Sequence, residues 1–208
     1  MPYSFAPWVD GDVSGVARFG AACAPCGDPG PILDPPMKDP PDEAFLRAVD
    51  AAFETVCAHY PVPRQPRIAW QIQKFPEGLM QVEGGSIYGV AVLVFAKAAV
   101  EFFAELSDPE IRGLRIDRIG ITATPGTRGC FGEVCRSSIR QKLNALAVLS
   151  PISIAVVPGK QPGLPATEDG VIQEFAGPLD LRLPWVAYDN PWECIKGLYL
   201  LQARSILI

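Results

Sequence analysis

The seventeen residues from Ile87 to Phe103, IYGVAVLVFAKAAVEFF, carry only two charges, Lys97 and Glu101. A stretch this apolar is driven out of water, so whatever the chain folds into must be built around it. A lipid bilayer would take about 20 unbroken apolar residues, and charges inside a span are expensive. The run falls short of that length and is interrupted, so it predicts a helix buried in a protein core with no membrane partner. A chain of 208 residues, 49% hydrophobic and 20% charged, can enclose such a helix in one domain.

The remaining periodicities supply the layers around it. Between Asp42 and His59, Phe45, Val49, Phe53 and Val56 recur at helical spacing, with Pro40 and Pro41 before them and Asp42 and Glu43 in the first turn. RIAWQIQKF, Arg67 to Phe75, alternates like a half-buried strand, and ISIAVVP, Ile152 to Pro158, reads as a short buried one. LRIDRIGITATPG and LDLRLPWVAY predict two more strands. Ser137 to Leu149 places Ile139, Leu143, Leu146 and Leu149 on one helical face, and a last helix is expected from Trp192 to about Ala203. Most of the 22 prolines fall between Pro25 and Pro41 and between Pro151 and Pro184, where they punctuate loops. The expected class is α/β or α+β, mixed sheets packed with helices.

A net charge of -5 and a pI near 4.9 give no global reason to bind nucleic acid or an anionic membrane. The opening MPYSFAPWVDGD lacks a basic region followed by an apolar one, so a cytoplasmic protein with reduced cysteines is expected. CAPC, Cys23 to Cys26, has the spacing of half a zinc site, and Cys130 with Cys135 could complete a set of four thiolates. No second CxxC and no HxxxH follows, so no stoichiometric zinc is expected, and Cys23 and Cys26 would be the first ligands to suspect otherwise. Glycine-rich nucleotide loops are absent too, which leaves no cofactor. The single histidine, His59, ends a helix in a context without a catalytic signature.

Ser86, in VEGGS just before the apolar run, has two readings. A serine there can simply cap the helix. It can also be a nucleophile, because free N–H groups at a helix start stabilise an oxyanion and a lysine of lowered pKa can replace histidine as base.

VEGGS, Val82 to Ser86, follows a strand and precedes a helix of small and apolar residues, and it closely resembles the VEGDS nucleophile motif of the Lon-type serine peptidases, their archaeal branch especially. GEVCRSSIRQKLNAL, Gly132 to Leu146, is similar to their second signature. Gly132 and Val134 match it, Ser137 and Ser138 stand for its glycine pair, and Lys142 falls on the dyad lysine. The helix at Asp42, the strand ISIAVVP and the closing PWECIKGLYLLQA come in the order of a Lon proteolytic domain. Gly85 replaces the family's aspartate, serines replace the glycines, and an insertion around Ser107 to Arg115 lengthens the dyad spacing. The resemblance runs from Gly15 to Ala203, making residues 1–14 an N-terminal extension and residues 15–208 the domain.

This resemblance implies a Lon-like proteolytic fold and a serine protease, a hydrolase of peptide bonds. Ser86 would be the nucleophile and Lys142 the base. Thr122 would hydrogen-bond the lysine, Gly85 would contribute to the oxyanion hole with Ser86, and Glu83 would orient the loop. It implies a polypeptide substrate, admits a hexameric ring as oligomer, and leaves room for a separate ATPase or regulatory partner. The alternative is a Lon-fold module that no longer cuts and serves as an assembly platform, favoured by the drift at Gly85, Ser137 and Ser138.

Overall fold

The computed structural model describes residues 1–24, 28–34, 41–60, 66–75, 84–149 and 152–204. Along these the chain forms β1 (Tyr3–Asp10), β2 (Val13–Ala24), β3 (Gly30–Leu33), α1 (Glu43–His59), β4 (Arg67–Phe75), α2 (Tyr88–Phe102) and α3 (Pro109–Gly113). It continues with β5 (Ile119–Ile121), β6 (Thr124–Pro125), β7 (Phe131–Gly132), α4 (Ile139–Val148), β8 (Ile154–Pro158), β9 (Gln173–Ala176), β10 (Arg182–Tyr188) and α5 (Pro191–Ala203). Eight strands make one mixed sheet in the order β3-β4-β2-β1-β5-β8-β10-β9, and β6 pairs with β7 in a small hairpin. The class is therefore mixed α and β, as the periodicities predict.

Alternation along the central strands divides the core between two faces. Ile154 and Val156 of β8, with Val186 and Tyr188 of β10, belong to the cluster that includes α1, α2 and α5, while Ala155, Val157, Trp185 and Ala187 belong to the cluster under α4. The two helices that matter most are gauged on β5. A Cβ on Gly120 would lie 2.5 Å from Leu146 Cδ2 of α4, and one on Gly89 of α2 would lie 2.5 Å from Ile121 Cγ2. Both contacts are possible only because those positions are glycine.

Helix α2 buries twelve of its fifteen residues. Gly85–Phe102 is long and apolar enough by composition to cross a bilayer, but 72% of it is buried within the fold, so its apolar surface is already covered. Its one lysine is also satisfied by the fold. Lys97 Nζ donates to the carbonyls of Ile111 and Arg112 at the end of α3, and Glu101 lies 3.6 Å away. The segment around Ser107 to Arg115 thus folds in part as a short helix, α3, whose end receives Lys97.

Two expectations need correction. Residues 1–14 are not an appendage, because β1 sits between β2 and β5 inside the sheet and pairs with β2 from Tyr3↔Gly20 to Asp10↔Val13. The two-residue turn Gly11–Asp12, with Gly11 at φ 56, closes that hairpin. LRIDRIGITATPG is not one strand either. After Ile121 the chain leaves the sheet: Thr122 N–H still donates to Val156 O of β8, but Ala123 N–H donates to Ser86 O.

Candidate active site

That divergence at the end of β5 creates a cleft of about 400 Å³. On one side runs β1 from Ala6 to Asp10, and on the others lie Asp42 and Phe45 at the start of α1, Gly84 to Ile87, Thr124, and Val134, Cys135, Ser138 and Lys142. Its deeper walls, Ala6, Ala17, Phe45, Ile87 and Val134, are apolar and buried.

Ser86 is not a cap. It sits within a 3₁₀ turn, Gly85–Ile87, that leads straight into α2, and neither that turn nor α2 has a side-chain N-cap bond. Its backbone is fixed instead by Ala123, whose N–H donates to Ser86 O at 3.2 Å, and by Gly89, whose N–H donates to Ala123 O at 3.4 Å. Its hydroxyl meets Lys142, which reaches from the first turn of α4 across 56 residues of sequence: Nζ donates to Oγ at 2.8 Å. Lys142 is 7% exposed, and burial lowers its ammonium from 10.5 to about 8, against a smaller upward push from Cys135. An amine so placed can lose its proton near neutral pH, after which the same contact reverses and the hydroxyl donates to nitrogen.

The loop before Ser86 is held by a residue that in the sequence marks only a helix start. Asp42 caps α1, Oδ1 accepting from Phe45 N at 2.7 Å, and both of its oxygens accept from Gly84 N at 3.2 Å. Gly84 needs that hold because it stands at φ 83, where glycine alone is at ease. Asp42→Ala should lower stability by about 1–2 kcal/mol, the range for a lost N-cap, and Asp42→Asn by much less. Denaturant unfolding with an unchanged slope checks this.

The other expected site residues divide. Gly85 lines the cleft beside Ser86, and Glu83 lies outside the described residues. Thr122 does not hydrogen-bond the lysine: it is fully buried and its hydroxyl has no hydrogen-bond partner among the described residues. The reason is its place, since its backbone still belongs to the sheet beside Val156 while the chain turns into the cleft only afterwards. Thr124 lines the cleft instead, its Oγ1 donating to Glu133 O. His59 is stacked on Trp192, ring centroids 3.6 Å apart, and is not among the cleft residues. Burial lowers its pKa. Cys26 lies outside the described residues, and among those described no three metal-ligating side chains cluster. Cys135 is exposed at the cleft, its thiol pKa lowered by a hydrogen bond with Ser137.

No protein-family model matches this chain, and no curated protein does so either.

Proposed function

We propose that the chain is a serine peptidase of the Lon-like proteolytic fold, with Ser86 as nucleophile and Lys142 as general base. The observation that carries this is the 2.8 Å contact between Ser86 Oγ and a buried lysine whose ammonium lies well below its ordinary range. A module kept only as a platform has no chemical use for that pair, which favours the peptidase over the assembly reading.

In the reaction neutral Lys142 takes the Ser86 proton as Oγ bonds to the scissile carbonyl carbon. The oxyanion is received by the N–H groups of the turn at Gly85 and Ser86, which have no acceptor inside their own helix. When the tetrahedral adduct collapses, the Lys142 ammonium returns its proton to the departing amine, leaving an ester on Ser86. Water, deprotonated by Lys142, then attacks the ester and restores both groups. An extended substrate suits the cleft, because among the described residues β1 pairs with β5 only at Phe5↔Gly120 and its continuation to Asp10 runs along the opening. The apolar walls suit an apolar side chain beside the scissile bond. Assembly as a ring and reliance on a separate ATPase or regulatory partner belong to this proposal on resemblance alone.

A fluorophosphonate probe tests it without knowledge of the substrate. Covalent labelling of the intact chain on Ser86, abolished in Ser86→Ala, is the expected result. An unlabelled wild-type protein would remove the peptidase reading and leave the platform.

A further inference from the structure

Gln161, three residues past β8, has one of the few buried polar side chains described, with 7% of its surface exposed. Its amide clasps a single residue on another part of the chain. Oε1 accepts from Val134 N at 2.9 Å and Nε2 donates to Val134 O at 2.9 Å, while Nε2 also donates to Pro162 O at 3.0 Å. A side-chain amide thus takes the place of a neighbouring strand for one residue, using one acceptor and both of its donors.

Val134 is a wall of the cleft, and from it a short series of bonds leads to the lysine. The next residue, Cys135, offers its carbonyl to both the N–H and the hydroxyl of Ser138, each at 3.1 Å. Ser138 O then accepts from Lys142 N at 2.9 Å, the first bond of α4. Ser138 makes no side-chain cap of its own on that helix, so local capping does not fix where α4 begins.

Resting on the peptidase reading, we propose that Gln161 is a positioning residue of the site, setting through Val134 and Cys135 the start of α4 and so the place of Lys142 Nζ opposite Ser86 Oγ. No other side-chain type supplies this pattern at the same length. Glutamate accepts but cannot donate while ionised, and leucine does neither, leaving both Val134 groups unpaired where water does not reach.

The test is the second-order rate of fluorophosphonate labelling at Ser86, followed from neutral to alkaline pH in the full chain. Gln161→Leu and Gln161→Glu, shown folded by circular dichroism, should label roughly tenfold to a hundredfold more slowly, as a displacement near 1 Å of a reacting group entails. The pH midpoint of labelling should also rise, because a loosened wall admits water to Lys142. A purely structural role would lower the melting temperature and leave that midpoint in place. Should neither variant fold, Gln161→Asn keeps the amide but withdraws it by one methylene and carries the same expectation. A folded variant with wild-type rate and midpoint overturns the role of Gln161 while the dyad stands. Absence of Ser86 labelling in the wild type overturns both.

Discussion

Lys142→Met is expected to yield a protein that cuts no peptide yet is more stable than its parent at neutral pH. On the proposed mechanism the loss of activity follows from losing the base, and Lys142→Ala should be as complete as Ser86→Ala. Lys142→Arg should be inactive too, because a guanidinium stays protonated in proteins and cannot accept the serine proton. The gain in stability follows from linkage. The unfolded chain holds the lysine proton up to about pH 10, while the folded chain releases it at about 8. Between those values the unfolded state binds more protons, so stability rises with pH and the native protein carries the full penalty below them. A neutral side chain of similar length removes it, a gain of about 2–3 kcal/mol at pH 7 that should shrink toward alkaline pH. Urea unfolding of parent and variant at both ends of that window measures it. Wild-type activity should rise with pH through about 8, as the amine becomes neutral. Arg140, exposed on the same helix, should be replaceable by alanine with much of the activity kept. Near wild-type cutting by Lys142→Arg, or an inactive Arg140→Ala, would assign the base elsewhere.

Gly89→Val should be among the most damaging single changes outside the dyad. The first added carbon would already lie 2.5 Å from Ile121 Cγ2 and 3.1 Å from Ala123 Cβ, both in the core. Helix propensity favours alanine over glycine by about 1 kcal/mol, yet forcing atoms into a filled core typically costs about 1–3 kcal/mol. The clash prevails, and valine worsens it. Because Ala123 also anchors the backbone of Ser86, labelling at Ser86 should fall along with the melting temperature. Gly85→Ala is the comparison: its nearest neighbour would be 3.6 Å away, so stability should be retained. A Gly89→Val protein with the parent's melting temperature would mean that α2 is not gauged on β5 by that contact.

Elements with a strong hydrophobic period are legible in the sequence. The face Phe45, Val49, Phe53 and Val56 of α1 is buried as its spacing predicts, as are Ile139, Leu143 and Leu146 of α4. The hairpin β1–β2 is not, because small residues interrupt its large ones: Gly15 lets Trp8 lie across it, Ala6 faces Ala17, and the period of two is blurred. The Gly11–Asp12 dipeptide is the one local signal of it. At the cleft, Ser86 and Lys142 pair only through the motifs, since no periodicity links positions on separate helices. The choice between Thr122 and Thr124 turns on where the chain leaves the sheet, which depends on the partners of Thr122 N–H and Ala123 N–H. Asp42 and Gln161 act over 42 and 27 residues respectively, and nothing local in the sequence marks them for it.

The gauging of α2 and α4 on opposite faces of a three-residue strand also bears on when the site comes into being. Local contacts cannot assemble it, because Ser86 and Lys142, 56 residues apart, come together only after the intervening elements have folded and each helix has docked against β5. During refolding, helix content and burial of α2 can recover ahead of the site, and labelling competence at Ser86 is expected to appear only with the docking of α4. On the peptidase reading, a newly made chain would be inert until its architecture is finished, a safeguard for a protein proposed to cut polypeptides.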